Sequence, residues 1–111
     1  MHKERVDMDV AMKQVYATLS TGAKNAVSRK HIVERTGYTD RIVRECIERL
    51  RADEPIISAT DGSGYYIATK DMAGVADVTR WMDGQLKRAS SIRKSTEGAV
   101  KLILEVNYGK I

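Results

Sequence analysis

The sequence is short of what marks a catalyst, a secreted scaffold or a membrane protein. Its 111 residues hold one cysteine, Cys46. No internal disulfide can form, so a reducing, cytoplasmic setting is the expectation. No stretch reaches the roughly 18 uncharged apolar residues of a membrane span, because charges interrupt every run, and no membrane association is expected. Residues 1–9 lack the apolar core of a signal peptide. There is no phosphate-binding glycine loop, no HExxH pair and no CxxC. Gly62-Ser63-Gly64 is too short for a nucleotide loop and reads as a turn. No histidine or aspartate is spaced to turn Cys46 into a nucleophile or metal ligand, and a small buried hydrophobe is its default role. No catalytic residue, metal or cofactor is therefore expected.

What is present is a chain of one-domain size, 42% hydrophobic and 31% charged, with a net charge of +4. The charge is banded. Residues 24–51 carry eight basic against four acidic side chains, residues 52–77 one against five, and residues 78–111 seven against three. An acidic band between two basic segments implies an oriented surface and makes acidic partners, nucleic acid first, the class to test.

Met8, Met12, Val15, Tyr16 and Leu19 recur at three and four, which predicts a helix capped by Asp7 or Asp9 and stopped by Gly22. The segment Asn25-Ala26-Val27 is long enough only for a minor strand. Ser28 opens a second helix, with Ile32 and Val33 apolar, His31 in its first turn and Gly37 at its left-handed close. Thr39 or Asp40 caps a third, with Val43, Ile47 and Leu50 on its buried face. Two helices joined by a short turn containing a glycine form a helix-turn-helix pattern. Pro55 then ends the helical pattern. Ile56-Ile57-Ser58-Ala59 and Tyr65-Tyr66-Ile67-Ala68 flank an Asp61-Gly62 turn, which predicts a hairpin. By period-two alternation Ile57, Tyr65 and Ile67 are expected inward and Tyr66 outward, where it either covers the tail helix or touches DNA.

From Asp71 onward the pattern is helical again, dividing the chain into residues 1–70 and a tail, 71–111. Met72, Val75, Thr79, Met82, Leu86 and Ala89 form a heptad-like stripe, which restarts as Ile92, Thr96, Ala99, Ile103 and Val106. The phase slips near Ser90-Ser91, which predicts either a distorted continuous helix or a break there. One straight helix over residues 71–105 would be about 52 Å long, too long for a domain of this size to cover. Met82, Leu86, Ala89, Ile92 and Ile103 are the expected homodimer contacts, with Trp81 as a neighbouring anchor. Lys87, Arg88, Arg93 and Lys94 form either a solvated face or a contact to flanking phosphates.

Residues 28–67 resemble the winged helix-turn-helix of the biotin-operon-repressor type. The resemblance is carried by Ser28, Gly37, Thr39, the Val43/Ile47/Leu50 face and Gly64-Tyr65 at the second wing strand. Thr36 departs from it, standing where the family usually has leucine. The resemblance implies an α+β fold of three helices plus a two-stranded wing, followed here by a helical extension. It also implies a non-enzymatic, sequence-specific double-stranded DNA-binding protein, a transcriptional regulator or phage accessory factor.

The physical case for DNA stands beside that resemblance. A helix fits the major groove, and residues near its N-terminus reach base edges. Tyr38, Thr39, Asp40, Arg41, Arg44 and Glu45 are so placed, although Tyr38 is also suited to packing on the third helix. Glu45 can accept from a cytosine amine or pair with Arg41 or Arg49. Arg29, Lys30 and Lys24 flank the start of the second helix, where free N–H groups favour phosphate. Ser63 lies at the wing tip, with Asp61 opposing a basic wing. The competing expectation is a winged helix used as a protein–protein module in a replication or packaging assembly, favoured by Asp40, Glu45 and Glu48 among the arginines.

Overall fold

A computed structural model describes residues 5–109; residues 1–4 of the segment inspected for a signal peptide lie outside the described residues. The chain is mixed α+β. Its elements are α1 (Met8–Thr18), α2 (Arg29–Thr36), α3 (Asp40–Leu50), β1 (Ile56–Ser58), β2 (Tyr65–Ile67), α4 (Met72–Ser95) and α5 (Glu97–Tyr108), with a short 3-10 turn at Ala23–Asn25. The chain divides into two units between Thr79 and Arg80, inside α4.

Local side chains start each of the first three helices. The Asp7 carboxylate accepts from the amides of Asp9 and Val10, the Ser28 hydroxyl from His31 N–H, and the Thr39 hydroxyl from Ile42 N–H. Gly37 ends α2 in the left-handed conformation (φ 78°). α1 stops earlier than its glycine signal: Leu19 turns extended at φ −84° and ψ 147° and is itself drawn into the core, while Gly22 heads the 3-10 turn.

α1, α2 and α3 pack on one another around Ala11, Val15, Leu19, Ile32, Tyr38, Val43, Cys46 and Ile47. Cys46 and Ile47 are both buried, whereas Leu50 is only half-buried, so the inner face of α3 is rotated toward Cys46 from the expected one. Burial pushes the Cys46 thiol pKa up. Truncating Ile32 or Ile47 to alanine would cost about 2–5 kcal/mol.

β1 and β2 pair antiparallel with Ile56 opposite Ile67, Ile57 opposite Tyr66 and Ser58 opposite Tyr65. β2 lies between β1 and the segment after α1. On that second edge Val27 and Tyr65 exchange both backbone hydrogen bonds (2.9 and 2.8 Å), while Ile67 N–H reaches Ser20 and its carbonyl accepts from Gly22. The expected minor strand is thus a single bridge at Val27.

This register keeps Tyr65 and Ile67 inward and Tyr66 on the other face as expected, and corrects Ile57. Ile56, Tyr65 and Ile67 close the three-helix core, whereas Ile57 shares the opposite face with Tyr66. That face is not open: Tyr66 is buried and its hydroxyl donates to Asp77 of α4 at 3.3 Å. The start of α4 lies close enough to the hairpin's exit that a Cβ on buried Gly74 would fall 1.7 Å from the Thr69 carbonyl oxygen. Asp71 fixes that start, accepting from Thr69 hydroxyl (2.6 Å) and Gly74 N–H (2.9 Å).

In the second unit α4 runs unbroken through Ser90-Ser91, and the break falls at Thr96 (φ −95°, ψ −6°). The Ser95 and Thr96 hydroxyls donate there to the carbonyls of Ile92 and Arg93, and the break lies five residues beyond the expected interruption. No helix among the described residues is long and apolar enough to cross a membrane.

Candidate nucleic-acid interface

α3 buries Val43, Cys46 and Ile47, which leaves Arg41 and Arg44 on its exposed side. Helical geometry requires this, since positions 41 and 44 fall on one face and 43, 46 and 47 on another. Arg41 makes no hydrogen bond or ion pair with the described residues. Arg44 is paired: its Nε lies 3.3 Å from Asp40 Oδ2. The other oxygen of the same carboxylate, Oδ1, accepts from Arg29 Nε at 2.5 Å. Asp40, the first residue of α3, therefore stands between a guanidinium from the first turn of α2 and one from its own second turn.

Arg29 extends this network to the hairpin, since its Nη1 donates to the Tyr65 hydroxyl at 3.4 Å. Its hydrogen bonds to Tyr65 and Asp40 raise its pKa, so it is a permanent cation here. Tyr65 also stacks under Arg51, whose guanidinium carbon is 5.8 Å from the ring centroid. Arg51 donates to the Ile56 carbonyl and the Ser58 hydroxyl, tying the end of α3 to β1. Burial lowers its pKa. Sequence reasoning missed this role, because an arginine just after a helix end carries no local signal of burial.

The remaining site residues separate clearly. Glu45 pairs with Arg49 at 2.7 Å, one of the two partners expected for it. Thr39 spends its hydroxyl as the cap of α3. Lys30 is exposed and makes no hydrogen bond or ion pair with the described residues. At the hairpin tip the Ser63 amide donates to Asp61 Oδ1 at 2.9 Å, so it is engaged within its own turn. Ser63's side chain and amide together hold the Asp61 carboxyl below the usual carboxylate range. Tyr38 is a correction. It is 5% exposed and its hydroxyl donates to Gln14 of α1 at 2.5 Å, so it belongs to the helical core and is withdrawn from the exposed set.

Arg41, Arg44, Glu45 and Glu48 line a shallow depression on α3. A second one, between the hairpin and the start of α2, is lined by Ser28, Arg29, Ser58, Gly64 and Tyr65. Cations thus occupy the rim of two elements, interleaved with carboxylates. No group of three or more His, Cys, Asp or Glu side chains suited to holding a metal occurs among the described residues.

In the second unit, Met82, Leu86, Ala89, Ile92 and Ile103 are all exposed, and Trp81 is half-buried. α5 is apolar around most of its circumference. Glu97, Lys101 and Glu105, spaced by four, form one polar strip, and Val100, Leu102, Ile103, Leu104 and Val106 take much of the rest, all exposed. Comparison of the chain with models of protein families, with curated proteins and with solved structures finds no match.

Proposed function

We propose that this chain is a non-enzymatic winged-helix protein that binds double-stranded DNA sequence-specifically, as a transcriptional regulator or phage accessory factor. In this reading α3 enters the major groove, α2 and the hairpin hold the backbone, and the second unit joins two copies. The observation that carries it is the exposed Arg41/Arg44 face of α3, backed by a buried Val43/Cys46/Ile47 face and flanked by Arg29 and Lys30. Arginine's planar fork matches the two acceptors of guanine, and the flanking cations suit phosphates.

Self-association is supported by α5. An apolar arc wider than a two-helix seam calls for more than one covering helix. A second copy supplies two such helices, with α4 cations (Lys87, Arg88, Arg93, Lys94) available to α5 carboxylates (Glu97, Glu105).

A titration of duplex binding against salt tests the DNA reading. Neutralising about five phosphates gives a slope of log affinity on log salt of about −4 to −5. No duplex binding at low salt favours the second reading, a protein–protein module, for which the pairing of Arg44 with Asp40 and of Arg49 with Glu45 is the favouring observation.

A further inference from the structure

The carboxylate of Asp40 is shared between two arginines from different helices, and this sharing has a consequence for recognition. Asp40 is half exposed, as are Arg29 and Arg44 (50%, 42% and 59%). Ion pairs this open to solvent add little to stability. Their effect is on direction. Arg29 is held by the Tyr65 hydroxyl as well as by Asp40, so the carboxylate is fixed from α2 and the hairpin as well as from its own helix.

Arg44 meets this carboxylate through Nε and makes no hydrogen bond with the described residues. Its two terminal amines are left to engage an outside acceptor pair. A guanidinium restrained along one edge loses less side-chain freedom on binding than an unrestrained one. The same carboxylate repels phosphate, so it weakens any pose in which Arg29 and Arg44 serve only as backbone cations. Arg41, three residues away and without a partner among the described residues, has neither restraint nor penalty.

We propose that Asp40 is the specificity-setting residue of this surface, a positioning group that aims Arg44 at a base edge while suppressing indiscriminate phosphate binding by Arg29 and Arg44. The inference rests on the DNA reading of α3.

The test uses the full chain and two duplexes of equal length, one selected from a random pool by the wild-type protein and one of random sequence. Affinity is measured over a range of salt, with thermal melts to show that each variant is folded. Asp40→Asn should tighten binding to the random duplex about three- to tenfold and steepen its salt slope by about one, because the freed arginines engage further phosphates. The preference for the selected duplex should fall about tenfold, within the range for one misdirected bidentate contact. Asp40→Glu should keep more of that preference than Asp40→Asn. Arg44→Lys, which keeps the charge but loses the fork, should lose the preference while retaining affinity for the random duplex. The proposal is overturned if folded Asp40→Asn keeps the wild-type preference, or weakens both duplexes alike. Should Asp40→Asn fail to fold, retention of the preference by Arg44→Lys overturns it. Wild-type protein that binds neither duplex, or both equally, removes the DNA reading itself, a failure distinct from one seen only in the variants.

Discussion

Gly64 passes so close to Val27 that a Cβ built on it would lie 1.9 Å from the Val27 carbonyl oxygen. This approach is what allows Tyr65 to exchange two backbone hydrogen bonds with Val27, and so joins the hairpin to the entry of α2. Gly64 also has φ 130°, whereas Gly62 has φ 79° with open space around it. Gly62→Ala should cost about 1–2 kcal/mol, the conformational penalty alone. Gly64→Ala should cost clearly more, since backbone must also move. Urea denaturation of both variants measures the difference, and equal costs would mean the close approach is not maintained in solution.

Tyr38 and Gln14 tie the turn before α3 to α1. Tyr38→Phe removes that hydrogen bond from a buried ring and should destabilise the protein by about 0.5–1.5 kcal/mol. Because the ring is in the core, duplex affinity under folding conditions should not change. A large loss of affinity with little loss of stability would return Tyr38 to the exposed surface.

The start of α4 should be acid-sensitive. Thr69's hydroxyl and Gly74's amide hold the Asp71 carboxyl below the usual carboxylate range. Since its folded pKa is depressed, the contribution is fully present above the unfolded value of about 3.9 and is lost as pH falls through the lower folded value. Hydrogen exchange at Gly74 and Val75 should therefore quicken, relative to the chemical rate, as pH is lowered below about 4. Asp71→Asn should weaken protection at neutral pH and reduce the acid dependence.

Self-association through the second unit makes a sharp prediction for Ile103, which is 56% exposed in the single chain. Ile103→Asp should raise the dimer dissociation constant by about thirtyfold or more, equivalent to at least about 2 kcal/mol. Sedimentation equilibrium reads this directly. A wild-type chain that stays monomeric at high concentration would remove the second copy as the cover for α5.

Much of the first unit was legible because its signals are local. Asp7, Ser28, Thr39 and Gly37 act within three or four residues of where they stand, and the Val43/Ile47 spacing defines an inner face without reference to anything else. Asp61-Gly62 announces the hairpin in the same way. The facing of Ile57 was not legible, because it depends on the cross-strand register that sets it opposite Tyr66, and that Tyr66 is covered by the tail helix, not left to DNA, depends on Asp77, eleven residues later. The Arg29–Asp40 pair is likewise eleven positions apart, and neither residue alone announces the other. The break at Thr96 escaped a reading based on apolar phase, since it falls at Ser95 and Thr96, whose hydroxyls bond back to helix carbonyls, and not where the stripe slips. Arg51 carries no local signal of its role and is half-buried, bonded to the Ile56 carbonyl of β1.

The central claim is that the exposed arginine face of α3 reads bases while α2 holds the backbone. Selection of bound duplexes from a random pool by wild type, Arg44→Ala and Lys30→Ala tests it most directly. Arg44→Ala should relax the preference at one position and cost about 1–3 kcal/mol on the preferred site, whereas Lys30→Ala should weaken all sequences alike. The account is contradicted if the two variants behave the same, or if wild-type protein enriches no sequence.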